Sequence, residues 1–137
     1  MGRYLKIIFV LFIGISVLGC ASLKEKTRCV AGVSTKELEE GRKDALRKTF
    51  TYDYPSCFSK TKGILQDIGA YIYAKDINKN MIAIYLSEQD TTPVGIFFKE
   101  IDSVSTEVEI SSPSTYAKEM IAQKLFTALE TTSPPQQ

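Results

Sequence analysis

Cysteines at positions 20, 29 and 57 are the most reactive side chains of this 137-residue chain, which has no histidine to activate them. Without histidine, neither a Ser-His-Asp nor a Cys-His arrangement can be assembled. The commonest zinc and copper ligand is missing too, and the cysteines lack metal-ligand spacing. The eight glycines are scattered and form no phosphate-cradling loop. Paired carboxylates could still do acid–base work. The pair Glu107 and Glu109, however, alternates with Val108 and Ile110 and reads as the solvated face of a strand. No serine–lysine pair stands out. The chain reads as a non-enzyme, with no metal or cofactor implied.

Cys20 has a distinctive setting. Arg3 and Lys6 precede an unbroken apolar run from Ile7 to Leu18, and Gly19-Cys20 follows. A positive start, a short apolar stretch and a small-residue cleavage site make a secretory signal peptide. About a dozen apolar residues are too few for a bilayer-spanning helix, which needs around 20. The Gly19-Cys20 ending resembles the lipobox of bacterial lipoproteins, although Val17 and Leu18 stand where leucine and a small residue are commonest. The resemblance implies that Cys20 is diacylglycerylated, that residues 1–19 are cut away, and that the new terminus is acylated. Two or three acyl chains hold a protein stably on a membrane. Ala21 stands where an aspartate would resemble an inner-membrane retention signal. The periplasmic face of the outer membrane is therefore the expected location.

Removal of the first nineteen residues leaves roughly 118, the size of one small domain. With Arg3 and Lys6 gone from the 17 cations, the remainder nearly balances the 16 anions, which gives no reason to expect nucleic acid. Cys29 and Cys57 remain beyond the lipidated residue. An oxidising compartment allows a disulfide between them, closing a loop of about 29 residues and contributing roughly 3–4 kcal/mol. The alternative is a core thiol at Cys57 and a free Cys29 in a tether.

The elements that must position these residues follow from periodicity. Residues 20–33 show no period and read as a tether. Ser34-Thr-Lys-Glu37 fits a capping box, with Val33 and Leu38 as its hydrophobic staple. A charged helix follows to Arg47, thin in apolar residues and weakened by Gly41. It reads as a solvated spacer over residues 34–47, docked loosely or not at all. The folded domain is expected over residues 48–130. Thr49 to Tyr52 alternates as a strand. Asp53-Tyr-Pro55 starts a helix whose stripe is Cys57, Phe58, Thr61, Ile64, Leu65 and Ile68, and Gly69 ends it. From Ala70 the period changes to two. Ala70–Ile77 and Met81–Leu86 form a hairpin about Asn78-Lys-Asn80. Val94–Ile101 and Thr106–Ser111 are two further strands, and Tyr116 to Leu129 is a last helix behind the caps of Ser112-Pro-Ser-Thr115. Residues 131–137, polar with two prolines, read as disordered.

The order β-α-β-β-β-β-α predicts an α+β fold, an antiparallel sheet with both helices on one face. Tyr52-Asp-Tyr-Pro55, Leu65-Gln-Asp-Ile-Gly69 and Ile101-Asp-Ser-Val-Ser-Thr-Glu-Val108 resemble the helix-grip-like domains of bacterial envelope lipoproteins, among them the C-terminal domains of BamC. The likeness spans roughly residues 48–130 and contains no reactive motif, so it implies a fold and a setting rather than an activity.

Alternation predicts two sheet faces. Ile72, Ala74, Ile82, Ile84, Leu86, Ile96, Phe98, Val108 and Ile110 should face the helices. Tyr71, Tyr73, Met81, Ala83, Tyr85 and Phe97 should lie on the far side as an open aromatic patch, a surface suited to an envelope protein or a second copy of the chain. Tyr73 and Tyr85 should be nearest neighbours across the hairpin. Tyrosines also simply suit strands, and the spacer helix could fold back over them. A rival expectation is a carrier of small apolar ligands with a pocket between sheet and last helix.

Overall fold

Residues 34–132 are described by the computed structural model. The expected signal peptide and tether, with Cys20 and Cys29, and residues 133–137 of the expected disordered tail lie outside the described residues. A short helix α1 (Thr35–Glu40) runs into a 3-10 turn (Gly41–Asp44). Then come β1 (Leu46–Phe50), α2 (Tyr54–Asp67), β2 (Tyr71–Asp76), β3 (Met81–Tyr85), β4 (Pro93–Asp102), β5 (Ser105–Ser111) and α3 (Thr115–Thr131). The fold is α+β. Its five strands form one antiparallel sheet in the order β1-β5-β4-β3-β2.

This order makes β1 and β2 the two edges, so α2 must carry the chain across the sheet. Fourteen helical residues span about 21 Å, which matches roughly 19 Å between edge strands of a five-stranded sheet. Pro55 suits the first turn of α2. At its end Gly69 takes φ 78°, and Ala70 N–H donates to Leu65 O at 3.0 Å, a Schellman closure. Cys57, Thr61 and Leu65 of α2 and Ala117, Ile121, Ala122, Leu125 and Leu129 of α3 are buried. They pack against Ile82, Ile84, Ile96, Phe98, Val108 and Ile110 of the sheet. Ser114 caps α3 through its side chain, accepting from Ala117 N–H at 3.2 Å.

Two expectations fail at the start of the domain. The charged segment is not one helix to Arg47, because α1 ends at Glu40 and Leu46 already belongs to β1. Pairing decides this, since Leu46 faces Ile110 and Phe50 faces Thr106, so β5 draws the segment into the sheet. The expected strand over 49–52 is thereby shifted, and Tyr52 becomes a core residue whose hydroxyl donates to Leu129 O at 3.2 Å. Nor is α1 a solvated spacer. Leu38 is fully buried, packed with Met81, Ala83 and Phe97 on the sheet face opposite α2 and α3. The domain therefore begins near Ser34 rather than Lys48. Ser34 caps α1 by accepting from Lys36 N–H rather than from the third amide.

Candidate functional site

Where β2 leaves regular pairing, the second face acquires its shape. Ile72 pairs with Ile84, but Ala74 pairs with Ala83, so Tyr73 is an extra residue in a bulge. The slip turns Ala74 onto the second face, against the Leu38 cluster, where alternation had put it with the helices. It also makes Tyr71 the backbone partner of Tyr85. The bulge brings the Tyr73 ring onto Tyr85 all the same, with centroids 4.3 Å apart and planes at 23°. The ring of Tyr71 lies parallel to Tyr85 within 8°, at 6.3 Å. Three tyrosines thus form one stacked group at the β2 edge. Tyr71 is 47% exposed and the other two are half-buried. Burial, and then the neighbouring Tyr85, push the Tyr73 phenol up to about 12, so it stays neutral.

The centre of the expected patch is closed. Met81, Ala83 and Phe97 are at most 1% exposed beneath α1, so Met81 and Phe97 offer no surface to a partner. Several features hold α1 there. Gly95 leaves a hollow that Leu38 fills, and a Cβ at Gly41 would meet Ser111 Oγ at 2.6 Å. Ser111 Oγ donates to Leu38 O at 2.8 Å. Lys79 in the β2–β3 turn bonds Glu39 at 2.6 Å.

Glu109 completes the clamp. Far from forming a solvated face, it is 5% exposed and accepts from Arg42 Nε at 2.7 Å and Arg47 Nε at 3.1 Å. Burial alone would raise its pKa, but hydrogen bonds and charge from the two arginines outweigh that and hold the carboxyl below its usual range. The Arg42 guanidinium also lies over the Phe97 ring, 4.6 Å from its centroid. Sequence reading missed this group. Its signal was a glutamate alternating with Val108 and Ile110, with two arginines close to each other, Arg42 and Arg47, more than sixty residues away. Glu107, two residues earlier, is half-buried and unlike Glu109 has no ion pair among the described residues.

Cys57 is a free, fully buried thiol. Burial pushes it up to about 11, although the Thr61 hydroxyl one turn later would stabilise a thiolate. A neutral buried thiol is a poor nucleophile. Between the sheet and α3, Ile96, Val108, Ile110, Ile121 and Leu125 belong to one buried apolar cluster, all at most 2% exposed. A surface groove of about 370 Å³ runs beside Tyr71, lined also by Gln66, Ser87 and Gln89. Among the described residues no group of three His, Cys, Asp or Glu side chains could hold a metal ion. No described helix is long and apolar enough to cross a membrane. No protein-family model matches the chain, and no curated protein matches it either.

Proposed function

We propose that this protein is a lipid-anchored component of the bacterial cell envelope. Its small α+β domain works as a non-enzymatic binding or assembly module. The anchoring part rests on Arg3, Lys6, the apolar run and Gly19-Cys20. The non-enzymatic part is supported by the missing histidine, the neutral thiol of Cys57 and the engagement of the ionised Glu109 carboxylate by two arginines.

One observation carries the binding part. Tyr71 stands half-exposed at a sheet edge, its ring held parallel to Tyr85 while Tyr73 stacks on the same ring. A rigid, pre-stacked aromatic loses little conformational entropy on binding, and tyrosine is favoured among residues that dominate interfaces. The Tyr73 bulge and Lys75 guard the β2 edge against strand addition, so a partner would read side chains rather than extend the sheet. The surface is smaller than alternation predicts, with Tyr71, Tyr73 and Tyr85 at its centre.

The test is site-specific photocrosslinking in intact cells. A probe at position 71 should give a discrete adduct, one at Tyr116 should not, and Tyr85→Ser should abolish the first. Equal labelling from both positions would remove the binding surface. Cys20→Ala should leave an uncut precursor, and normal processing of that variant would remove the anchor.

A further inference from the structure

The two hairpin turns at one end of the sheet carry exposed apolar side chains that the fold itself does not use. Ile77 is 76% exposed, Val104 59% and Ile101 49%. The β2–β3 turn reaches β4 at Phe98, whose N–H donates to Asn80 O at 2.9 Å. Beyond this point the β4–β5 hairpin continues alone. Its last neighbour on one side is β3 at the Met81–Phe97 pair, and on the other β1 at the Phe50–Thr106 pair. Ile101 and Val104 therefore project past both flanking strands.

The turn carboxylates point back into their own turns. Asp102 Oδ1 accepts from Val104 N–H at 2.9 Å, and Asp76 Oδ1 accepts from the N–H groups of Asn78 and Lys79. Behind the tips stand the exposed lysines Lys75 and Lys99, neither in an ion pair among the described residues, while Lys79 in the first turn pairs with Glu39 and the exposed Glu100 adjoins Ile101. Apolar tips backed by lysines suit a membrane interface, with the side chains in the acyl boundary and the ammonium groups at headgroup phosphates.

We infer that this end of the domain dips into the lipid surface to which the chain is tethered. The inference rests on the anchoring half of the proposed function, not on the tyrosine surface. Fourteen residues from Cys20 to Ser34 reach at most about 50 Å, and a domain of this size has a radius of gyration near 13 Å. The tether thus keeps the tips at a high local concentration of lipid. Isolated convex tips lack the roughly 800 Å² of continuous area that a stable protein interface takes from each partner, whereas a fluid bilayer closes around them. With the turn at the membrane, Tyr71 and Tyr85, at the other end of the β2–β3 hairpin, face away from it.

The chain has no tryptophan, so Val104→Trp gives a single reporter, and Tyr116→Trp, at a somewhat more exposed position on α3, gives a control. The full chain would be purified in detergent and reconstituted in vesicles of phosphatidylethanolamine and phosphatidylglycerol. Emission from position 104 should shift to the blue and be quenched several-fold more by brominated acyl chains than emission from 116. Adding Ile77→Asp and Ile101→Asp should reverse the shift with circular dichroism unchanged. Equal, water-like emission from both positions on protein-bearing vesicles overturns the inference. An intact mass on the same sample separates the two ideas. Unacylated protein with a buried reporter overturns the lipid anchor and upholds the docking, and protein that does not join vesicles at all overturns both.

Discussion

The Cβ of Leu38 rests above Gly95 so closely that a side chain on that glycine would begin 3.0 Å from it. The same added Cβ would lie 2.8 Å from Cε2 of Phe97, a ring only 1% exposed and with nowhere to swing. The missing side chain in β4 is thus what seats α1 on the second face of the sheet.

Gly95→Ala should cost about 1–3 kcal/mol by overpacking, and Leu38→Ala about 2–4 kcal/mol by opening a cavity. The double variant should cost less than the two together, because the truncated Leu38 vacates part of the space that the new methyl needs. Urea midpoints for the four proteins complete the cycle. Strict additivity would mean that the Leu38 Cδ1, 3.3 Å from the added methyl, does not help confine position 95, leaving Phe97 and the Leu38 Cβ as the obstacle.

The stacked tyrosines should separate by burial. Tyr71→Ser should cost little, about 0.2–1 kcal/mol for the lost cross-strand contact. Tyr73→Ser should cost about 1–3 kcal/mol, because that ring also packs on the cluster beneath α1. Equal losses would show that the bulge does not bury Tyr73. In an ultraviolet titration the Tyr73 phenol should ionise late, near pH 12.

Acid should weaken the α1 clamp. The Glu109 carboxyl is held below its unfolded value, so its contribution is complete above the unfolded pKa of about 4.3 and is lost as pH falls through the lower folded value. Glu109→Gln should remove this part of the acid dependence and destabilise the protein at pH 7 by about 1–2 kcal/mol. The arginine side chains, 40% and 41% exposed, leave that loss below the cost of breaking a fully buried pair. Thermal melts from pH 3 to pH 7, at constant ionic strength, give both quantities. An unchanged acid slope in the variant would assign it to other carboxylates.

Cys57 should resist iodoacetamide at pH 8 in the folded protein and react once urea unfolds it, since the thiol is both buried and neutral. Peptide masses read this directly. Labelling that fails even in urea, and appears only after reduction, would mean that Cys57 is bridged to Cys29.

Much of the architecture was legible because period is a local property. The α2 stripe through Cys57, Thr61 and Leu65, the left-handed closure at Gly69 and the alternation of β3, β4 and β5 each follow from neighbouring residues. The antiparallel sheet follows in turn from their short connections. Composition is as local as period, and a chain without histidine cannot assemble a histidine-dependent triad.

Tertiary structure decided what depends on residues far apart in the chain. The residues from Leu46 onward became strand because β5, some sixty residues later, offers an unpaired edge, and pairing energy overrides weak helix propensity. The bulge at Tyr73 cancelled a symmetric register, because one extra residue reverses every side chain beyond it. A helix with a single buried leucine looks solvated until Gly95 supplies the hollow that fits it. Glu109 looks like a surface charge until Arg42 and Arg47 arrive to compensate its burial. Local pattern thus determined most of the elements, the start of β1 excepted, and which residues stay exposed depended on complementary partners that only the folded chain brings together.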